Sequence, residues 1–192
     1  MNIINIHDFN LSYDSVQLFK NFNFSVEKGK SVGVFGPTGT GKTSLLNKIV
    51  EDYISKYKIA YVFQDNKLLE NFSVKKNIIL PLKNIFPKEE CDKKVADILD
   101  FVNLKNMEDK KVSVLSGGEH QRVNIARAFA YVSAAKCNIL LMDEPFSAQD
   151  DVNRENLINL TKKIATENNV TTVVVSHNRD DLDKLCDYVI DL

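Results

Sequence analysis

The stretch Gly36-Pro37-Thr38-Gly39-Thr40-Gly41-Lys42-Thr43 constrains this chain more than any other. It fits G-x-x-x-x-G-K-[ST], a phosphate-binding loop when a strand precedes it and a helix follows. Before it, Ser31-Val32-Gly33-Val34-Phe35 is apolar enough for a buried strand; after it, Ser44-Leu45-Leu46-Asn47-Lys48-Ile49-Val50 opens a helix. Glycines let the backbone fold around an anion with its N–H groups turned inward. The helix N-terminus adds partial positive charge. On this reading Lys42 reaches the β- and γ-phosphates of a nucleotide and the Thr43 hydroxyl ligates Mg2+. The competing reading is a glycine-rich turn ahead of an ordinary helix.

The chain's 192 residues are enough for one domain with its own core. Charged residues make up 27% and apolar ones 44%, ordinary for a soluble protein, and the net charge of -1 gives no case for generic nucleic-acid binding. No apolar run approaches the ~20 residues of a membrane span. Met1-Asn2-Ile3-Ile4-Asn5-Ile6 lacks the basic start and long apolar run of a signal peptide. Cys91, Cys137 and Cys186 form no C-x-x-C pair and read as reduced thiols. A cytosolic protein is expected, one that could sit against a membrane through a partner.

In chain order, Asn2 to Phe9 reads as a strand with Ile4, Ile6 and Phe9 as its apolar points. Ser12-Tyr13-Asp14-Ser15 reads as a turn, and Phe22, Phe24 and Val26 mark a second, half-exposed strand. Lys58 to Phe63 is another strand, ending at Gln64. Residues 68–111 change character: charge and Asn rise, Pro81 and Pro87 punctuate short helical patterns, and Val95, Ile98, Leu99 and Val102 have helical spacing. A helical pattern then runs from Leu115 through Ala130. Asn138 to Met142 is an apolar strand closing on Asp143-Glu144. Val152, Leu157, Leu160 and Ile164 mark an amphipathic helix, Thr171 to Val175 a buried strand ending at Ser176-His177, Asp180 to Cys186 a last helix, and Tyr188 to Ile190 a last strand. Strands alternating with helices after residue 31 imply a parallel sheet covered on both faces.

An apolar strand ending in Asp143-Glu144 makes a Walker B site beside a phosphate loop. Asp143 can hold Mg2+, directly or through water, and Glu144 can orient or deprotonate a water. A further motif, Leu115-Ser116-Gly117-Gly118-Glu119 continuing His120-Gln121-Arg122, resembles the signature of ATP-binding-cassette (ABC) ATPases. The resemblance covers nearly the whole chain and keeps the family's order: phosphate loop, Gln64, signature, Walker B, Ser147-Ala148-Gln149-Asp150, His177.

The resemblance implies an α/β P-loop NTPase with a RecA-like parallel-sheet core, a trimmed N-terminal antiparallel β-subdomain and a helical insertion carrying the signature motif. One ABC ATPase domain would span 1–192, with 1–67 and 112–192 as core and 68–111 as the helical subdomain. It implies ATP hydrolysis with Mg2+. Gly36 to Thr43 with Ser44 would cradle the phosphates; Thr43, Gln64 and Asp143 would hold the metal; Lys42, Gln64, Glu144 and His177 would carry the chemistry. Tyr13 matches the aromatic that stacks on adenine, although an aromatic there could equally pack on the core. Ser116, Gly117, Gly118 and Glu119 offer a second anion site at a helix start, implying two subunits facing head to tail around two ATPs. Asp150 matches the family's D-loop aspartate, and Gln149 departs from its usual leucine. His120 has the look of a solvated helix residue.

From Lys42 to Gln64 the chain is shorter than the family norm, with no Gly or Pro turn, so residues 49–57 should form a helix extension or short loop rather than a hairpin. The adenine would then rest mainly on Tyr13. The implied biology is a nucleotide-binding subunit powering a membrane-embedded partner from the cytosolic face. A soluble ABC ATPase acting on ribosomes, DNA or another assembly is the alternative, and a nucleotide-gated scaffold without turnover a third. Leu68, Leu69 and Phe72 after Gln64 either pack inward or, with Phe63 and with Ile78 and Leu82 behind, line a groove for a helix of the membrane subunit.

Overall fold

The structure is a computed structural model and describes residues 1–13, 16–65 and 67–192. Two strands, β1 (Asn2–Tyr13) and β2 (Val16–Glu27), pair antiparallel as a separate two-stranded sheet. The strands outrun their expected limits: Ser12 and Tyr13 continue β1 rather than turning, while Asp14 and Ser15 lie outside the described residues. Ile4, Ile6, Phe19, Phe24 and Val26 supply the buried face.

The second sheet is parallel and five-stranded, in the order β4 (Ile59–Val62), β5 (Ile139–Asp143), β6 (Thr171–Ser176), β3 (Ser31–Phe35), β7 (Tyr188–Asp191). Alternation along these strands splits the core in two. Val32, Val34, Ile139, Leu141, Val173 and Val175 face α1 (Lys42–Tyr53) and the hairpin. Leu140, Met142 and Val174 face the opposite layer, where α4 (Gly117–Ala135), α5 (Asp151–Glu167) and α6 (Arg179–Leu185) pack. Between α1 and α4 in sequence lie α2 (Val74–Ile79) and α3 (Lys88–Phe101), which bury Val74, Ile78, Val95 and Leu99 against α4. Ile98, also at core spacing, is only half-buried.

The expected amphipathic helix is α5, but Val152 in its first turn is exposed and belongs to no apolar face. One turn of helix is too short for spacing alone to say which side meets the sheet.

Residues 49–57 form no hairpin. Helix α1 runs to Tyr53, and a turn follows in which Tyr57 N–H donates to the Tyr53 carbonyl (2.9 Å). The Tyr53 side chain does what a third strand would do at this edge of β1: its hydroxyl accepts from Asn5 N–H (2.7 Å) and donates to the Asn5 carbonyl (2.9 Å). Both backbone groups of that edge residue are thereby paired.

Candidate functional site

In a parallel sheet ligands gather beyond the carboxyl ends of the strands. Here β3 ends in the phosphate loop, β4 leads to Gln64, β5 closes on Asp143-Glu144, and β6 closes on Ser176-His177. Helices α4, α5 and α6 start with side-chain caps, from Ser116, Asp150 and Asn178. Helix α1 instead starts at Gly41 with no side-chain cap, leaving its first N–H groups for a ligand. Gly41 has φ 95°, and a Cβ there would meet the Phe19 ring at 2.7 Å, so the hairpin presses on the loop where only glycine fits.

A cavity of about 500 Å3 opens over this end, lined by Tyr13, Val16 and Leu18 of the hairpin, by Thr38, Gly39, Gly41, Lys42, Thr43 and Ser44 of the loop and α1, and by Gln64, Asp143 and Glu144. Tyr13 is 72% exposed, which excludes core packing and leaves its ring free to stack. Val16 and Leu18 were not among the expected site residues; nothing local distinguishes them until the hairpin lies along α1.

Thr43 Oγ1 donates to Asp143 Oδ2 (2.8 Å), bringing together two predicted metal ligands. Burial pushes the Asp143 carboxyl up, and the Thr43 hydroxyl holds it back. With the Gln64 side-chain amide on the same cavity wall, the donors are a hydroxyl, a carboxylate and an amide oxygen, a hard set that suits Mg2+. No cluster of three or more His, Cys, Asp or Glu capable of holding a metal occurs among the described residues. The three thiols take no part: burial raises Cys137 and Cys186 to about 12.

Lys42 is expected from the motif to project freely, yet it is buried, at 7% exposure. The loop wraps its stem, and Nζ donates to the Gly36 carbonyl (2.6 Å) and the Pro37 carbonyl (2.9 Å), with Glu144 Oε1 3.5 Å away. Glu144 is itself buried and sits at φ 46°, a left-handed conformation rare for a non-glycine residue. Its Oε2 accepts from Ser176 Oγ (3.2 Å), from His177 N–H (3.3 Å) and from His177 Nδ1 (2.9 Å). Ser176 is a site neighbour that the sequence reading passed over as the end of a strand.

The signature residues do not line this cavity. Ser116 caps α4 in a reciprocal box: Ser116 N–H (2.7 Å) and Oγ–H (2.8 Å) both donate to Glu119 Oε2, and Glu119 N–H donates to Ser116 Oγ (3.3 Å). Those donations lower the Glu119 pKa. Ser116 and Gly117 are exposed, so this helix start faces away from the chain's own loop. His120 is not a solvated residue: it is half-buried, with Nε2 2.6 Å from the Val112 carbonyl, holding the 3-10 turn Val112–Val114 that leads into the signature.

Beyond Gln64 the expected groove exists with different walls. A cavity of about 520 Å3 is lined by Tyr61 and Phe63 from β4 and the residue after it, Val50 and Ile54 from the end of α1, Leu80 and Pro81 after α2, and Tyr131 of α4. Leu69 and Phe72 are exposed but do not line it, Leu68 is half-buried against the core, and Ile78 and Leu82 are fully buried behind. Leu69 is turned elsewhere because its N–H and carbonyl are held by the Asn77 side chain (2.8 and 3.1 Å). Among the described residues no helix is long and apolar enough to cross a membrane.

Comparison with known proteins reaches the same residues. The chain is 32% identical over 208 residues to the sulfate/thiosulfate import ATP-binding protein CysA of Halalkalibacterium halodurans, covering 96% of this chain and 57% of that protein. It is 34% identical over 205 residues to the methionine import ATP-binding protein MetN 1 of Listeria monocytogenes, covering 94% and 60%. The chain thus spans less than two thirds of the length of these curated relatives. The dimeric ATP-binding cassette MJ0796, solved in a post-hydrolysis state with ADP and Pi, superposes with a TM-score of 0.86 at 28% identity, covering 98% of this chain and 93% of that one. Residues 19–147, from the hairpin through the phosphate loop and signature to the residues after Walker B, match the ABC transporter family, and the chain belongs to it.

Proposed function

We propose that the chain binds and hydrolyses Mg-ATP, pairs head to tail with a second cassette, and drives transport by a membrane-embedded subunit. The observation that carries this is the Thr43–Asp143 hydrogen bond on the wall that also holds Lys42 and Glu144, with the exposed Tyr13 ring across the same cavity. The N–H groups at the start of α1 cradle the phosphates. Lys42 transfers its donors from the Gly36 and Pro37 carbonyls to the β- and γ-phosphates. Thr43, Gln64 and Asp143 would hold Mg2+, which neutralises charge on those same oxygens. Glu144 takes a proton from the attacking water. In the free chain His177 is engaged with that carboxylate; turning to the γ-phosphate, it frees Glu144 Oε2 for the water. The exposed first turn of α4 serves the nucleotide of the second cassette. This is positioning and electrostatics, with no covalent intermediate on the chain. Phosphate release from ATP with and without Mg2+ is the direct test; a chain that binds ATP and releases no phosphate is a scaffold instead.

Base recognition rests on stacking alone, since Tyr13, Val16 and Leu18 line that end of the cavity. Tyr13→Ala is expected to weaken ATP binding by about 1–2 kcal/mol, the loss of one base–aromatic stack. ATP and GTP should bind within a few-fold of each other. A strong ATP preference that survives Tyr13→Ala in competition titrations contradicts this reading.

The transport part of the reading needs a docking surface, and the apolar groove beside Gln64 supplies one suited to an amphipathic helix. Its walls come from β4, α1 and the segment after α2, so a helix seated there touches both the nucleotide-binding core and the helical insertion. Leu80 is 46% exposed on its rim. Leu80→Ser should leave ATP hydrolysis by the isolated subunit unchanged and abolish co-purification with the membrane subunit. Normal co-purification would move weight to a soluble ABC ATPase acting on another assembly.

A further inference from the structure

Gln149 stands where the family usually has leucine, and it is buried, at 6% exposure, between two parts of the site. Its Nε2 donates to the Gly118 carbonyl (3.0 Å) and to Gln121 Oε1 (2.9 Å), and its Oε1 accepts from Arg122 Nη1 (2.9 Å). Gln121, also buried, donates through Nε2 to the Glu144 carbonyl (2.9 Å). Ala148 N–H donates to Gln121 Oε1 (3.2 Å), and Arg154 Nη2 donates to the Gln149 carbonyl (2.9 Å). Two side-chain amides therefore bridge the Gly118 carbonyl, in the signature turn, to the Glu144 carbonyl, at the end of β5. The backbones also touch: a Cβ on Gly118 would stand 2.9 Å from the Ala148 carbonyl oxygen.

We propose that Gln149 is a positioning residue that couples the two nucleotide sites of the paired cassettes. The inference rests on the head-to-tail reading above. In that arrangement Glu144 works on the nucleotide held by its own chain, while Gly118 faces the nucleotide of the other. A leucine at 149 would pack in the same space but fix no direction. A fully satisfied buried amide network has one geometry, and moving one end moves the other. A shift at Glu144 on phosphate binding is thereby delivered to the signature turn of the same chain, and so to the second site.

The test is the dependence of ATP hydrolysis on ATP concentration for the full chain. The wild type should show a Hill coefficient approaching about two, the number of coupled sites. Gln149→Leu should bring it to about one, with unchanged ATP affinity for the monomer. Gln121→Leu, which cuts the same bridge at its other link, should do likewise, and the double variant no more than either alone. Gln149→Glu keeps the size and the bond from Arg122 but cannot donate, and should also lose cooperativity; it carries the test if the leucine variant does not fold. A purely structural role would lower the melting temperature and the active fraction and leave the Hill coefficient where it was, which overturns the proposal. So does a non-cooperative wild type whose Glu144→Gln form dimerises with ATP. A Glu144→Gln form that stays monomeric with ATP overturns the head-to-tail reading itself.

Discussion

Lys42→Ala is expected to lower ATP affinity by at least about 100-fold, since two or more charge-assisted hydrogen bonds at about 1.5–3 kcal/mol each are lost with the ammonium. The substitution also has a folding cost. In the free chain the Lys42 ammonium satisfies the Gly36 and Pro37 carbonyls and is the cation facing Glu144 Oε1. Removing it leaves buried acceptors unpaired, a loss of about 1–3 kcal/mol in stability. The melting temperature should therefore fall along with ATP affinity, and calorimetric titration must be run well below the variant's transition. Unchanged affinity in a folded variant would remove the phosphate-loop assignment.

Glu144→Gln is expected to bind ATP normally and to turn over about 10²–10⁴-fold more slowly, the usual range for loss of a general base. The amide is close to isosteric, and its oxygen can still accept from Ser176 Oγ and His177 N–H, which now hold Glu144 Oε2. The left-handed backbone at residue 144 need not change. With hydrolysis blocked, the ATP-bound pair should accumulate, and light scattering with Mg-ATP should report a dimer where the wild type gives mostly monomer. A variant that remains monomeric at high concentration counts against the sandwich, whatever its rate.

Much of this site could be read from the sequence because its parts are local. A phosphate loop, a strand ending in two acids and a serine-capped glycine pair each declare themselves within a few residues, and the strands that present them are short and apolar. What escaped depends on tertiary contact. The burial of Lys42 follows from how the loop closes on its stem. His120 gained its role from a carbonyl eight residues earlier, across a turn. Val152 sits in the first turn of a helix whose buried side is set only by the sheet beneath it. The groove beside Gln64 gathers walls from three separated segments, and the side chain of Asn77 decided that Leu69 would not be one of them. Gln149 is visible in the sequence as an oddity; only packing against Gln121 and Arg122 gives it work.

The two grips on the hairpin bear on how fast and how selectively nucleotide is captured. Phe19 rests on Gly41 at one end of α1, and Asn5 is held by the Tyr53 hydroxyl at the other. Twelve residues of helix span about 18 Å at 1.5 Å per residue. That stiff rod lashes the hairpin alongside it at both ends. The ring of Tyr13 and the phosphate cradle are thus carried on one rigid frame, and their separation is set before any nucleotide arrives. Little orientational freedom remains to be lost on capture. The trade is adaptability: a ligand whose aromatic and phosphate groups lie at another spacing finds no arm that can swing to meet it.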